Sequence, residues 1–230
     1  MRPDGGPAGP AAPPEWFSRV AALPGRVQAG ELFGPLPVPD GGGRASAVLM
    51  LFGESDHGPD VLLTQRAAGL RSHPGQVSFP GGAVDDGDAG PEAAALREAS
   101  EETGLDPGGV QISGSLPPLH LSVSGYTVTP VLAWWHTPAP VAPMDHAEVA
   151  AVVRVPLAEL VDPANRFQVR HPSGYLGPGF SAGGLFVWGF TAGLLSRVLE
   201  LAELDRPWDT SRLMPLPGLP GLAAGRRVQA

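Results

Sequence analysis

Pro91-Glu92-Ala93-Ala94-Ala95-Leu96-Arg97-Glu98-Ala99-Ser100-Glu101-Glu102-Thr103-Gly104 reads as one helix with a signal at each end. Proline suits the first helical turn, and glycine suits the position just past the last one. Between them Leu96, Ala99 and Thr103 recur at helical spacing and form a stripe for burial. Glu98, Glu101 and Glu102 stand at i, i+3 and i+4, so three carboxylates share a second face. Like charges at that spacing repel, and the C-terminal end of a helix disfavours anions; each effect costs only a few tenths of a kcal/mol. A bound divalent cation would reverse both penalties, and an all-oxygen ligand set suits Mg²⁺ or Mn²⁺. The plainer alternative is a solvated acidic face. Arg97, four residues before Glu101, is placed to pair with it.

Acid is concentrated around this helix. From Gly81 to Leu105 there are seven carboxylates and one Arg, a net of −6 in a chain of 230 residues whose net charge is −8. That points to a local cation site rather than to a solubility device. No basic patch supports nucleic-acid binding. The chain has no cysteine, which excludes disulfides, thiolate nucleophiles and thiolate-bound zinc. All 15 basic residues are Arg, so Schiff-base chemistry and a P-loop lysine are excluded too. No apolar run approaches the ~20 residues of a membrane helix, and Met1 to Pro14 lacks the apolar segment of a signal peptide. A cytoplasmic protein with no membrane partner is therefore expected.

Glycine and proline (32 and 28 residues) cluster at the two ends. Residues 1–43 are expected to be a flexible arm with one short helix near Glu15 to Ala22, dispensable for chemistry because little apolar surface offsets the cost of ordering it. Residues 44–212 form the expected domain, and 213–230 a Pro/Gly-rich tail. Ala45–Phe52 is a continuous apolar run of strand length; Asp60–Arg66, Val110–Ser113, Thr127–Trp135 and Val149–Val155 are further strands. Leu157–Val161 is expected to be a short helix and Leu185–Leu204 a long amphipathic one. Strands and helices mixed without regular βαβ alternation indicate α+β, an α/β/α sandwich with a mixed sheet.

The string Gly82…Arg97-Glu98-Ala99-Ser100-Glu101-Glu102-Thr103-Gly104-Leu105 resembles the Nudix box, a loop–helix–loop ending in R-E-U-x-E-E-x-G-U. One departure lies in the loop. The general pattern has Glu six residues after the glycine and seven residues between it and the Arg. Here Asp88 stands at that position and eight residues separate it from Arg97. Immediately upstream, Leu62-Leu63-Thr64-x-Arg66-Ala67-x3-Arg71-x3-Gly75-x3-Phe79-Pro80-Gly81-Gly82 resembles the motif of the coenzyme A pyrophosphatase branch of that family, matched at every fixed position. Members of that branch also tend to carry Asp and an extra residue in the box loop.

The resemblance implies a Nudix fold and a hydrolase that cleaves the pyrophosphate of coenzyme A or an acyl derivative, using Mg²⁺ or Mn²⁺, to give 3′,5′-ADP and 4′-phosphopantetheine. Glu98 and Glu102 match the family's metal ligands, and Glu101 a third ligand or the group that handles the attacking water. Gly81 or Gly82 would add a backbone carbonyl. Glu148, just before a strand, is the candidate base from a later loop, with a solvated loop carboxylate as the alternative, and Arg97 would fix the orientation of Glu101. Arg66 and Arg71 are candidates for substrate phosphate, since a guanidinium binds phosphate bidentately, the alternative for either being a structural pair with a box carboxylate. Gly75, Phe79 and Gly81 complete the candidate substrate contacts, with Gly75 more readily read as a turn former and Phe79 equally as a core residue. Tyr126, Trp134, Trp135, Trp188 and His120 read as packed residues. The rival readings are a Nudix hydrolase of ADP-ribose, NADH or dinucleoside polyphosphates, and a silent nucleotide-binding Nudix domain.

Overall fold

The structure, a computed structural model, describes residues 12–33, 43–122, 124–171, 174 and 176–216. In chain order its elements begin with α1 (Glu15–Ala21), α2 (Ala29–Phe33), β1 (Arg44–Ser55), β2 (Gly58–Arg66), β3 (Val77–Ser78), β4 (Gly81–Ala83) and α3 (Pro91–Thr103). There follow β5 (Val110–Ser115), β6 (Leu119–Leu121), β7 (Tyr126–Trp135), β8 (Val149–Pro156) and α4 (Leu157–Val161). The last are β9 (Arg166–Arg170), β10 (Leu176–Ala182), β11 (Leu185–Val187), α5 (Gly189–Leu201) and β12 (Leu213–Met214).

β1 and β7 run parallel at the centre of a mixed sheet, in register from Arg44↔Tyr126 to Phe52↔Trp134. β7 carries β5 and β6 on its far edge. β1 pairs antiparallel with β2 at one end and β4 at the other, and β2 carries β8 on its outer edge. Side chains alternate across a pleated sheet, and the apolar run of β1 is buried on both faces accordingly. Ala47, Leu49 and Leu51, with Val131, Ala133 and Trp135 of β7, pack under Ala94, Ala95 and Ala99 of α3. Met50 and Phe52, with Leu132 and Trp134, face the other way, onto α1, α4, α5 and β10. One helix on one face and four on the other, α2 joining them through Leu32, make the α/β/α sandwich expected from sequence.

β9 to β12 form a second, four-stranded sheet in the order β11-β10-β9-β12. The expected helix over Leu185–Leu204 starts only at Gly189. Leu185-Phe186-Val187 instead pairs with β10 through a hairpin whose two loop residues, Gly183 and Gly184, take φ of 58° and 72°. A two-residue loop with both φ positive matches the twist of the flanking strands, so turn chemistry overrides the helical pattern there.

The expectation of a loose arm fails for residues 12–33. Phe17 and Val20 are fully buried, and Leu23, Val27 and Leu32 nearly so. The Phe17 ring lies 5.1 Å from that of Trp134 and 6.0 Å from that of Phe52. Average composition hides these few apolar residues, spaced to fit one groove of the sheet. The remaining expectations for the two ends, over residues 1–11, 34–42 and 217–230, lie outside the described residues. Burial on this scale makes the segment structural: Phe17→Ala should cost about 3–5 kcal/mol, measured by urea unfolding. A chain starting at Gly43 should lose more, since Met50, Phe52 and Trp134 would be uncovered.

Candidate active site

α3 is capped as its sequence requires: Pro91 opens it, and Gly104 closes it at φ 68° with its N–H on the Ser100 carbonyl. Small Ala94, Ala95 and Ala99 let it sit close to the sheet, so its acidic face meets the Gly81–Gly82 strand. Both glycines are there for space. A Cβ on Gly82 would collide with the Glu98 carboxylate, and one on Gly81 with the Ala47 carbonyl and Val48 Cα. Leu49 N–H donates to the Pro80 carbonyl and Val84 N–H to that of Ala45. Ladder bonds in an antiparallel pair recur at every second residue, so Gly81, between bonded neighbours, turns its backbone groups away from β1. Its N–H donates to Glu102 Oε2 at 3.2 Å. Of the two glycine carbonyls, that of Gly81 therefore leaves the strand on the side of the carboxylates, and Gly82 contributes room.

Arg97 ties the acidic groups together. Its Nε and Nη2 donate to the two oxygens of Asp88 at 3.0 and 2.9 Å. Nη1 reaches Glu98 Oε1 at 3.0 Å and Glu101 Oε2 at 3.1 Å, and Nη2 the Ala83 carbonyl at 3.1 Å. The pairing with Glu101 expected from spacing is present. Asp88, whose role the irregular loop left open, is the main partner of Arg97, and that bond holds its carboxyl below the usual range, helped by the Asp85 backbone. The same partners hold the Arg97 guanidinium above its ordinary value.

The three glutamates differ sharply in environment. The Glu101 side chain is 60% exposed and that of Glu98 20%. Burial pushes Glu98 up. Burial pushes Glu102 up to about 7, against the Gly81 hydrogen bond that favours its anion; Glu98 and Glu148 push it further and Arg66 opposes them. Arg66 and Glu148 thus lie within electrostatic reach of Glu102. At the end of β2, Ala67 N–H donates to the Glu148 carbonyl at 2.8 Å, which ties the later loop to the strand that carries Arg66. Asp145 shapes that loop, its carboxylate accepting from Ala147 N–H at 2.7 Å. Ala142 and Met144 N–H donate to the carbonyls of Thr103 and Glu102, at 3.0 and 3.1 Å. Sequence reading missed these two positions because only the fold brings them to the end of α3.

Arg66 Nε is buried with no hydrogen-bond partner among the described residues. Arg71 is exposed on the loop between β2 and β3, and Gly75, at φ 69° in open space, sets the turn of that loop. Of the two readings of Phe79, core residue and substrate contact, burial favours the first: it is 2% exposed, packed in the α5-side core. Trp134, Trp135 and His120 are buried as expected. Among the described residues, no three carboxylates or imidazoles already converge in a metal-ligand arrangement. The donor chemistry fits a hard cation nonetheless. Two carboxylates held above their usual pKa by burial, beside a backbone carbonyl turned toward them, are groups whose anionic forms a cation would stabilise. No helix among the described residues is long and apolar enough to cross a membrane.

This arrangement, a mixed sheet with a carboxylate helix beside a Gly-Gly strand, is that of a Nudix domain. The family model for the NUDIX domain matches residues 43–174, and the chain belongs to the Nudix family. Among its relatives is an uncharacterized Nudix hydrolase, NudL, of Cronobacter sakazakii, 46% identical over 162 residues that span 65% of this chain and 78% of that one. NudL of Escherichia coli K12 is 45% identical over 144 residues, 60% of this chain and 72% of that one. In fold, the chain resembles RenU, a Nudix hydrolase from M. smegmatis, at a TM-score of 0.51 and 22% identity, over 75% of this chain and 96% of that one.

The raised Glu102 pKa fixes the sign of a pH effect in metal-free protein. Unfolded, the carboxyl titrates near 4.5; folded, near 7. The folded state therefore binds more protons in that window, and stability falls as pH rises through it. Glu102→Gln should remove this loss, stabilising the metal-free protein at pH 8 by on the order of 2 kcal/mol and by little at pH 4.5, read from urea midpoints at each pH.

Proposed function

We propose that the chain is a divalent-metal-dependent coenzyme A diphosphatase, active on coenzyme A or its acyl derivatives. The observation that carries this reading is the complete Leu62–Gly82 pattern running directly into the box helix. The packing supports it: Arg66 lies within electrostatic reach of Glu102, and Arg71 stands on the exposed loop that follows. The rival Nudix substrates do not call for that pattern. A silent domain would have lost box glutamates, and this chain keeps all three.

On this reading Glu98, Glu102 and a glycine carbonyl, Gly81 by its orientation, hold Mg²⁺ or Mn²⁺. When bound, such an ion neutralises pyrophosphate charge and lowers the pKa of bound water. Water attacks one phosphorus, the bridging P–O bond breaks, and 3′,5′-ADP and 4′-phosphopantetheine leave. Arg97 keeps Glu98 and Glu101 in place. Glu101 or Glu148 accepts the proton of the attacking water. Arg66 and Arg71 bind substrate phosphate, where a charge-assisted contact is worth roughly 1.5–3 kcal/mol.

A substrate panel with Mg²⁺ and Mn²⁺, its products resolved by chromatography, tests the reading. Coenzyme A should be cleaved to 3′,5′-ADP in preference to ADP-ribose, NADH and dinucleoside polyphosphates; preference for any of these would sink the assignment. Glu98→Gln and Glu102→Gln should each lower kcat on the order of 10²–10³-fold while the protein stays folded. Arg66→Lys and Arg71→Lys keep charge but lose the planar fork, and should lower kcat/KM about ten- to hundredfold. An arginine on the 3′-phosphate should lose that effect on dephospho-coenzyme A, whereas equal losses on both substrates would place it at the pyrophosphate.

A further inference from the structure

A second polar site lies on the α5 side of the main sheet, away from the carboxylate helix. Arg166, the first residue of β9, is only 1% exposed. Its guanidinium is held between two aromatic rings, 5.0 Å from the centroid of Phe180 and 4.7 Å from that of Trp208. Nη2 donates to Ser196 Oγ of α5 at 2.5 Å. Nε and Nη1 have no partner among the described residues. The side chain lines a cavity of about 390 Å³, together with Gln168, Ser196, Asp205, Arg206 and Trp208.

A guanidinium carries five N–H donors, and buried polar groups are nearly always hydrogen-bonded because leaving them unmet costs free energy. An arginine kept only for packing would be expected to fill its donors from the protein. Here burial works against the charged form, and Asp205 and Glu200 favour it from a distance. No carboxylate among the described residues comes within 4.0 Å of it. Glu200 is engaged by Arg197 at 2.6 Å. The cavity is far larger than the ~30 Å³ share of one water and falls within the range of small-ligand pockets. Its walls combine an indole face, an amide, a hydroxyl and a second guanidinium with two carboxylates, Asp205 and the Arg197-paired Glu200.

We propose that this cavity binds a small molecule through an oxyanion, carboxylate or phosphate, seated on Arg166, with Trp208 as the flat wall beside it. The fork geometry of a guanidinium matches either oxyanion. Arg206 adds a second cation. The site is separate from the one assigned to the pyrophosphate and does not depend on that assignment.

The test uses the full chain labelled with ¹⁵N-arginine, in EDTA so that no divalent metal draws the probe elsewhere. Inorganic phosphate and acetate are titrated in separate arms, with ionic strength held constant by sodium chloride. The Arg166 Nε–H resonance is identified by its loss in Arg166→Lys, or by its through-space contact with the Trp208 ring if that variant does not fold. A saturable shift of that resonance at millimolar probe is expected. The stronger probe tells phosphate-bearing from carboxylate-bearing ligands. Arg206→Gln should weaken the response several-fold, and Arg66→Lys should leave it unchanged. A resonance that does not move with either probe, or moves only linearly as chloride does, would overturn the proposal and leave Arg166 a packing residue. A response lost in Arg66→Lys and kept in Arg206→Gln would overturn it as well, by placing the anion at the other site.

Discussion

The close approach of α3 to the Gly81–Gly82 strand is the constraint on which the rest of the site depends. Alanines 94, 95 and 99 face Ala47, Leu49 and Leu51, so nothing bulky holds the helix off the sheet. That closeness presses the Glu98 carboxylate against Gly82 and brings Glu102 onto the Gly81 N–H. Removing carboxylates from water disfavours their charged form, and the protein offsets this only in part, with one backbone donor and one arginine. Apolar burial along β1 and β7 supplies the rest. The scaffold thus holds the acidic groups in a state that a cation would relieve.

Arg97 makes that state tolerable. One guanidinium binds Asp88, Glu98 and Glu101 and the Ala83 carbonyl, so it links the loop, the strand and two turns of the helix. The extra residue between Asp88 and Arg97 is taken up before the helix, where Gly90 sits at φ 146° and Asp85 N–H binds Asp88 Oδ2 at 2.9 Å. The loop departs from the general spacing without disturbing the helix face, because the charge pair, rather than the residue count, sets where the loop closes. A lysine, with one ammonium, could not span the same set of acceptors.

The elements legible in the sequence are those whose signal is local. The helix from Pro91 to Gly104 announces itself through proline, glycine and alanine, and β1 and β7 through long apolar runs. β9, β10 and β11 were not legible, since their segment is broken by glycine and proline and gains its structure from pairing. The end segment misled for a related reason: Phe17, Val20 and Leu32 are too few to change its composition, yet each fills a place on the sheet. At the site, spacing alone showed that Glu98, Glu101 and Glu102 share a face and that Arg97 reaches Glu101. It could not show that Asp88 is the main partner of Arg97, that Phe79 is packed in the core, or that the loop at Met144 closes the end of α3. Those depend on contacts between residues far apart in sequence.

The unequal burial of the three glutamates bears on the proposed division of labour. Glu98 and Glu102 lie against the strand, and their oxygens are directed into the protein, which suits groups that hold a cation. Glu101 is open to solvent but engaged by Arg97 Nη1 at 3.1 Å. To accept a proton from water its carboxylate must first leave that charge-assisted contact. Glu148 is exposed, lies within electrostatic reach of Glu102, and shows no side-chain hydrogen bond among the described residues. Its backbone is fixed on both sides, by Asp145 and by Ala67, so the carboxylate has a defined position without a partner to displace. On the proposed function, Glu148 is therefore the better placed of the two candidate bases, with Glu101 held by Arg97.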